Sequence, residues 1–293
     1  MELSWISKTR IFAVMALGAL VIGVLNWPAA KPDDPAGLVS LQNLSVVQSL
    51  LLLVMAVGLG FVGFFMAWPY GCQIGLLAVP SGLAIWASRS ASVSKTLALI
   101  PDMQARHDLF GSMRFESLYW LAVVYAGWGG VQLAKKLRPN PKLPILETLP
   151  EPPKIPHAFY GLGIIVSLLV GLFFLGIFAQ DIPIPLKSGV VFTQPPARQL
   201  ALGIFFAFGL AAFVVGHFFH LNYHCVMPTL ALAYIFGSVS YAKTETLTAM
   251  AQILPNTILY ALPIHLVSFG CLGAIWGHWA SVRYHYWRTH ELN

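Results

Sequence analysis

The sequence predicts an all-α polytopic transmembrane helical bundle with about eight spans, and three observations lead to this prediction. The 293-residue chain is 57% hydrophobic and has a mean hydropathy of +0.72. Only 10% of its residues are charged, whereas a soluble chain carries roughly 25%. Its long stretches without Asp, Glu, Lys or Arg match the roughly 20 apolar residues that one membrane helix needs. This composition excludes a cytosolic enzyme, a disordered chain and a nucleic-acid-binding domain.

Turn residues inside the charge-free stretches divide them into spans. Pro ends a helix and Gly permits a sharp reversal, so Trp68-Pro69-Tyr70-Gly71 separates the second span from the third. The polar residues Asn222-Tyr223-His224 separate the sixth from the seventh. The predicted spans are 11–27, 46–68, 72–88, 117–134, 157–179, 199–220, 225–242 and 262–282. The third is short and contains Pro80, and a re-entrant segment there would leave seven spans.

The first apolar segment has two interpretations. Lys8 and Arg10 precede it and Pro28-Ala29-Ala30 follows it, which loosely resembles a cleavable signal peptide. The apolar run is long for such a peptide, and Pro28 is poorly suited to a cleavage site. We therefore favour a signal anchor that is retained in the mature chain.

The loops contain no soluble domain, so residues 1–293 form a single integral membrane domain. Two loops, 138–156 and 181–197, are rich in proline, which favours extended, semi-rigid spacers. The segment 89–116 has scattered apolar residues and charges of both signs, which suits a short interfacial helix. Several tryptophans fall at predicted span ends, as an aromatic belt at the membrane interface requires: Trp27, Trp68, Trp86, Trp120 and Trp279.

The basic residues barely distinguish the two sides of the membrane. The dense cluster of Lys135, Lys136 and Arg138 favours the cytoplasmic side for its loop. With eight spans, both termini then lie in the cytoplasm, and we expect a bacterial cytoplasmic membrane. The net charge of +6 suits an anionic lipid surface. The expected partners are the lipid bilayer and other membrane subunits, and no nucleic acid.

Ionisable side chains are scarce within the predicted spans. Proton pumps and ion-coupled carriers usually need such a group inside the bilayer. Glu116 stands at the start of the fourth span, where we interpret it as an interfacial residue. This interpretation counts against an ion-coupled transporter.

The histidines form the sharpest candidate site. His217, His220 and His224 follow one helix face, and span parity places His278 on the same side of the membrane. The small residues Gly216 and Gly277 would let the sixth and eighth spans approach closely. Imidazole ligates many metals and haem, so His217, His220, His224 and His278 are candidate ligands for a metal ion or haem b. Histidines in such positions are more often solvated interfacial residues than ligands. A role in proton transfer is the third alternative for this cluster.

No catalytic motif is present, so an enzyme is disfavoured and three functions stay open. The first is a multi-pass membrane subunit or scaffold of a larger membrane complex. The second is a histidine-ligated metal or haem protein of a membrane redox chain. The third is a permease-type transporter component.

Overall fold

The computed structural model describes residues 5–34, 37–100, 102–139, 156–180, 182–186, 189–193, 195–241 and 257–290. Helical structure lies within each predicted span, but the first and third predicted spans are each divided among several helical elements. Helix α1 (Trp5–Gly18) continues as a π-helix (Ala19–Leu25) before the short α2 (Trp27–Ala30). The later helices are α3 (Val46–Met66), α4 (Gly71–Ile74), α5 (Ala78–Arg89), α6 (Val93–Leu99), α7 (Met103–Met113), α8 (Glu116–Leu137), α9 (His157–Phe178), α10 (Ala197–Phe219), α11 (Met227–Tyr241) and α12 (Pro263–His290).

Within the described residues, five helical segments are long and apolar enough to cross a membrane, so the count of eight spans stays a prediction. They are Trp5–Leu25, Val46–Met66, Gly71–Arg89, Ala158–Phe178 and Ala197–Phe219. Several carry apolar faces that nothing in the described chain covers. On α9 the exposed side chains include Ile165, Leu169 and Phe173, which recur at helical spacing on one face. Uncovered apolar surface of this extent is typical of a membrane-embedded protein.

Local sequence accounts for several helix boundaries. Ser45 and Gln48 form a reciprocal capping box at the start of α3, which satisfies backbone donors that the first turn leaves open. The Asp102 carboxylate accepts hydrogen bonds from the amides of Gln104 and Ala105 and so begins α7. The predicted interfacial helix within 89–116 is thus confirmed as a helical region, divided into α6 and α7.

The third segment extends from one end of the bundle to the other. It begins after the predicted turn, where the Trp68–Pro69 peptide bond is cis, and Gly71 packs there on Phe64. It ends at Arg89, whose Nη1 donates a hydrogen bond to the carbonyl of Gly23 at 3.1 Å. A 3-10 turn over Gly75–Leu77 interrupts its helix. Its length and hydropathy are compatible with a complete span.

Contacts between helix termini show which helix ends lie together. At one end, Arg138 after α8 stacks on Trp68 after α3, and Phe159 of α9 contacts Phe219 of α10. At the opposite end, Gln199 of α10 donates a hydrogen bond to the carbonyl of Phe178. We call the first end the histidine end, because α10 and α12 finish there with His217 and His285. The opposite end, where α8 begins, is the carboxylate end, named for Glu116.

Three helix pairs cross in backbone contact through glycine. A Cβ added to Gly60 of α3 would overlap the carbonyl oxygen of Gly127 in α8. A Cβ added to Gly277 of α12 would overlap the carbonyl oxygen of Gly209 in α10. A Cβ added to Gly18 of α1 would overlap the carbonyl oxygen of Ala78 in α5. Small residues allow such close approach in membrane bundles. The expected approach of α10 and α12 is therefore confirmed.

The all-α class is confirmed, and the helices are accompanied by one small hairpin of β1 (Ile182–Leu186) and β2 (Gly189–Thr193) within the proline-rich loop 181–197. Pro183 and Pro185 are two residues apart, so both occupy strand positions of the same kind, where a two-stranded ribbon needs no N–H donor.

The expectation for two of the tryptophans is corrected by the structure. Trp86 and Trp120 are fully buried and contact each other edge to face at 6.3 Å. They pack in the core and do not contribute to an aromatic belt.

The other proline-rich loop, 138–156, lies almost entirely outside the described residues. Its expected extended conformation stays a prediction.

Candidate functional site

Glu116 is the most deeply buried carboxylate among the described residues, at 3% exposure. This burial was not predicted from the sequence, whereas the interfacial position of Glu116 stays a prediction. The Ser40 hydroxyl donates a hydrogen bond to Glu116 Oε1, and the amide of Leu41 and the indole of Trp120 also face the carboxylate. Glu116 lies in the first turn of α8, where the positive end of the helix dipole favours a negative charge.

The loop between α2 and α3 buries this carboxylate. Leu38 and Val39 are 7% and 1% exposed, and the amide of Val39 donates a hydrogen bond to Ser90 Oγ at 2.9 Å. The Asn43 side-chain amide donates to the carbonyl of Leu38 at 2.7 Å. These bonds hold Ser40 over the start of α8. An ionisable group is costly to bury away from water, so this arrangement requires the loop to supply polar partners.

Tyr234 of α11 is the second polar group at the carboxylate end. Its side chain is fully buried, and it lies close enough to Glu116 for an electrostatic interaction. Within the described part of the chain its hydroxyl has no hydrogen-bond partner. Glu116 Oε2 likewise has no hydrogen-bond partner among the described residues. Glu116 and Tyr234 are thus neighbouring buried groups that are not hydrogen-bonded to each other.

His265, near the start of α12, is a buried imidazole at the carboxylate end. It is 4% exposed, and neither ring nitrogen has a hydrogen-bond partner among the residues that the structure describes. Its ring stacks near Phe269 at 6.3 Å. A buried polar group without partners destabilises the fold.

Replacing His265 by leucine should therefore stabilise the protein. An apolar side chain of similar volume removes the desolvation penalty of roughly 1–3 kcal/mol. The measurement is the thermal unfolding midpoint of purified wild-type and His265→Leu protein in the same detergent. A lower midpoint for the variant would show that the imidazole forms an interaction that stabilises the fold.

The structure brings the four predicted histidine ligands to one end of the bundle but divides them between two groups. In the first, His217 of α10 lies 4.7 Å from the ring of His285, and His220 lies 5.2 Å from that same ring. In the second, the Tyr223 ring contacts His224 at 4.4 Å and His278 at 5.4 Å. The histidine of α12 that faces His217 is therefore His285, which was not among the predicted ligands. The sequence did indicate that His285 shares a helix face with His278, because the two residues are seven apart.

His220 has an unusual backbone. It ends α10 with φ 54° and ψ 25°, and it is the one non-glycine residue of the described chain with positive φ. Glycine or asparagine usually takes this helix-ending position. For another L-residue the left-handed conformation costs roughly 1–2 kcal/mol. Strained residues of this kind are concentrated at functional sites.

The second group lies deeper and is mostly aromatic. The ring of His224, in the 3-10 turn Tyr223–Cys225, contacts Tyr125 at 6.1 Å and Trp128 at 5.2 Å. Burial lowers the pKa of His224, because the charged form loses its hydration. His278 Nδ1 is buried and has no hydrogen-bond partner within the described residues.

The arrangement as it stands does not form a finished metal site. Among the described residues, no three His, Cys, Asp or Glu side chains converge on one point. Haem b between α10 and α12 is disfavoured, because Gly216 packs against α12 so closely that an added Cβ would lie 2.9 Å from Ser281 Oγ and 3.5 Å from His278 Nδ1. A flat macrocycle does not fit into such a crossing.

No family model, curated protein or solved structure matches this chain. The functional argument therefore rests on the residues themselves.

Proposed function

We propose that this chain is an eight-span subunit of a larger membrane complex and that it moves protons through the interior of its bundle. The proposal combines the membrane-subunit and transporter hypotheses. The observation that carries it is the burial of Glu116 beside Tyr234 in an otherwise apolar bundle. Ionisable groups inside a membrane bundle are expensive and are typically found in proton relays.

Further protonatable groups continue towards the histidine end. Glu116 and Tyr125 stand nine residues apart on α8, or about 13 Å along a helix axis. Thr229 and Ser268 are buried on α11 and α12, two of the helices that pack against α8. Their hydroxyls donate hydrogen bonds to the backbone carbonyls of Val226 and Ile264. Tyr125 is close to Tyr223, which contacts His224 and His278. Titratable side chains thus lie both near the carboxylate end and nearer the histidine end.

The closed packing favours protons over larger solutes. Backbone contact at Gly60 and Gly277 leaves little room for a solute to pass between those helices, whereas a proton needs only a succession of hydrogen-bonding groups. The same rigid packing favours a scaffold subunit as the second candidate function. A scaffold would bind its partners without moving protons.

Proton flux in vesicles separates these two functions. The purified chain would be reconstituted into liposomes that contain a pH-sensitive dye, and a potassium diffusion potential would be imposed. We expect internal acidification faster than in protein-free liposomes. Equal rates in both preparations would contradict the proton proposal and leave the scaffold.

Both termini should lie on the cytoplasmic side of the membrane. Eight spans would return the chain to its starting side, and the cluster of Lys135, Lys136 and Arg138, which follows the fourth span, would lie on that same side. A reporter active only in the cytoplasm, fused in turn to each terminus, should give a signal in both fusions. A signal from one terminus alone would remove the eight-span count, and two silent fusions would reverse the orientation.

A further inference from the structure

The cluster of His217, His220 and His285 has a role that the proton proposal does not explain. Its three rings come from separate positions: the last turn of α10, the residue that ends α10, and the final turns of α12. His217 and His285 are partly exposed and His220 is exposed. An ion from the aqueous phase can therefore reach the cluster at the histidine end. We propose that these three histidines bind a zinc ion.

The separations between the rings suit one shared zinc ion. With zinc–nitrogen distances of about 2.0–2.1 Å and a tetrahedral angle, two imidazole ring centres on one zinc lie about 5 Å apart. The observed separations from His285 are 4.7 Å to His217 and 5.2 Å to His220. Because the ring nitrogens do not yet converge, binding requires the rings to turn about their side-chain bonds while the backbone stays in place.

Hydrogen bonding prepares His285 as a ligand. Its ring donates a hydrogen bond to the backbone carbonyl of His217, and metal-ligating histidines commonly make such a bond with the nitrogen that does not bind the metal. His217 Nδ1 is buried without a hydrogen-bond partner in the described chain, so it has no competing bond.

The backbone of His220 is the independent observation. Glycine would end α10 without strain, yet a histidine holds the left-handed conformation there. That conformation places the ring beside His285. A residue that is unfavourable for the local fold but supplies a third imidazole is expected when the side chain is needed for binding.

Zinc titration of tag-free protein in detergent, followed by calorimetry, tests this inference. We expect one zinc per chain in the wild type. His220→Gly and His285→Ala should each weaken binding at least about tenfold, since loss of even a supporting group around a metal costs 10- to 100-fold. His278→Ala and His107→Ala are the controls and should bind zinc as the wild type does. His107 lies in α7 with a side chain that is 37% exposed.

The thermal unfolding midpoint distinguishes a lost ligand from a damaged fold. Glycine relieves the positive φ at position 220, so metal-free His220→Gly should unfold at the same temperature as the wild type or higher. Weak binding together with an unchanged or raised midpoint supports the zinc site. Wild-type protein that binds no zinc, or His220→Gly and His285→Ala proteins that bind it normally, would overturn the inference. Neither result bears on proton movement through Glu116.

Discussion

Glu116→Gln should reduce proton flux in reconstituted vesicles at least about tenfold, because the amide cannot take up and release a proton as the carboxylate does. Gln keeps the size of Glu and an oxygen that can still accept the hydrogen bond of Ser40. The fold should therefore survive, and the unfolding midpoint of the variant should stay close to that of the wild type. The measurement is the initial rate of internal acidification at a fixed imposed potential.

Asp108→Asn is the matched control for this variant. It also replaces one carboxylate by its amide, but the Asp108 side chain is 67% exposed in α7. We expect its flux to equal that of the wild type. Equal flux in wild-type and Glu116→Gln vesicles would show that the protons move by another route.

Gly60→Ala should destabilise the protein strongly, although alanine is the better helix former. The added Cβ would overlap the carbonyl oxygen of Gly127, and a backbone atom can move only if α3 and α8 separate. Overpacking of a close-packed core typically costs 1–3 kcal/mol, and backbone overlap places this site at or above about 3 kcal/mol. The thermal unfolding midpoint in detergent measures the effect.

Gly58→Ala, on the same helix, should have the opposite effect on the stability of the protein. A Cβ at Gly58 meets nothing within 4 Å, so the gain in helix propensity of roughly 1 kcal/mol should appear as unchanged or increased stability. If the two variants unfolded at the same temperature, α3 and α8 would not cross at Gly60. That result would contradict the packing that positions Glu116.

The helices were predictable because hydrophobic length and turn residues are local properties of the sequence. The boundaries of α3 and α10 fall within a few residues of the predicted spans 46–68 and 199–220. The hairpin at 182–193 was missed because Pro183 and Pro185 dominate the local signal. Only the pairing of β1 with β2 shows that both prolines occupy positions that need no donor.

The burial of Glu116 was not predictable because it depends on a partner far away in the sequence. Ser40 lies 76 residues before Glu116, in a loop with no marked pattern. An acidic residue in the first turn of a helix is normally a solvated residue that interacts with the helix dipole. Only the packing of that loop over α8 turns Glu116 into an interior group.

The four histidines that the sequence analysis treated as one cluster lie in two groups at one end of the bundle. His278 and His285 lie two turns apart on the same face of α12, so spacing alone cannot decide which of them faces His217. The contact between Gly277 and Gly209 fixes the offset of α12 along α10 and brings His285 to His217. The left-handed backbone conformation of His220 was not predictable either, because sequence patterns associate this conformation with glycine.

Infrared spectroscopy of the Glu116 carboxyl group is the most direct test of the central claim that a buried acid exchanges protons inside the bundle. The carboxylic C=O absorption would be followed during pH titration of wild-type and Glu116→Gln protein in lipid. We predict a protonated-carboxyl band in the wild type that changes reversibly with pH and is missing from the variant. Identical spectral changes in the two proteins would show that Glu116 keeps one protonation state throughout and would contradict the claim.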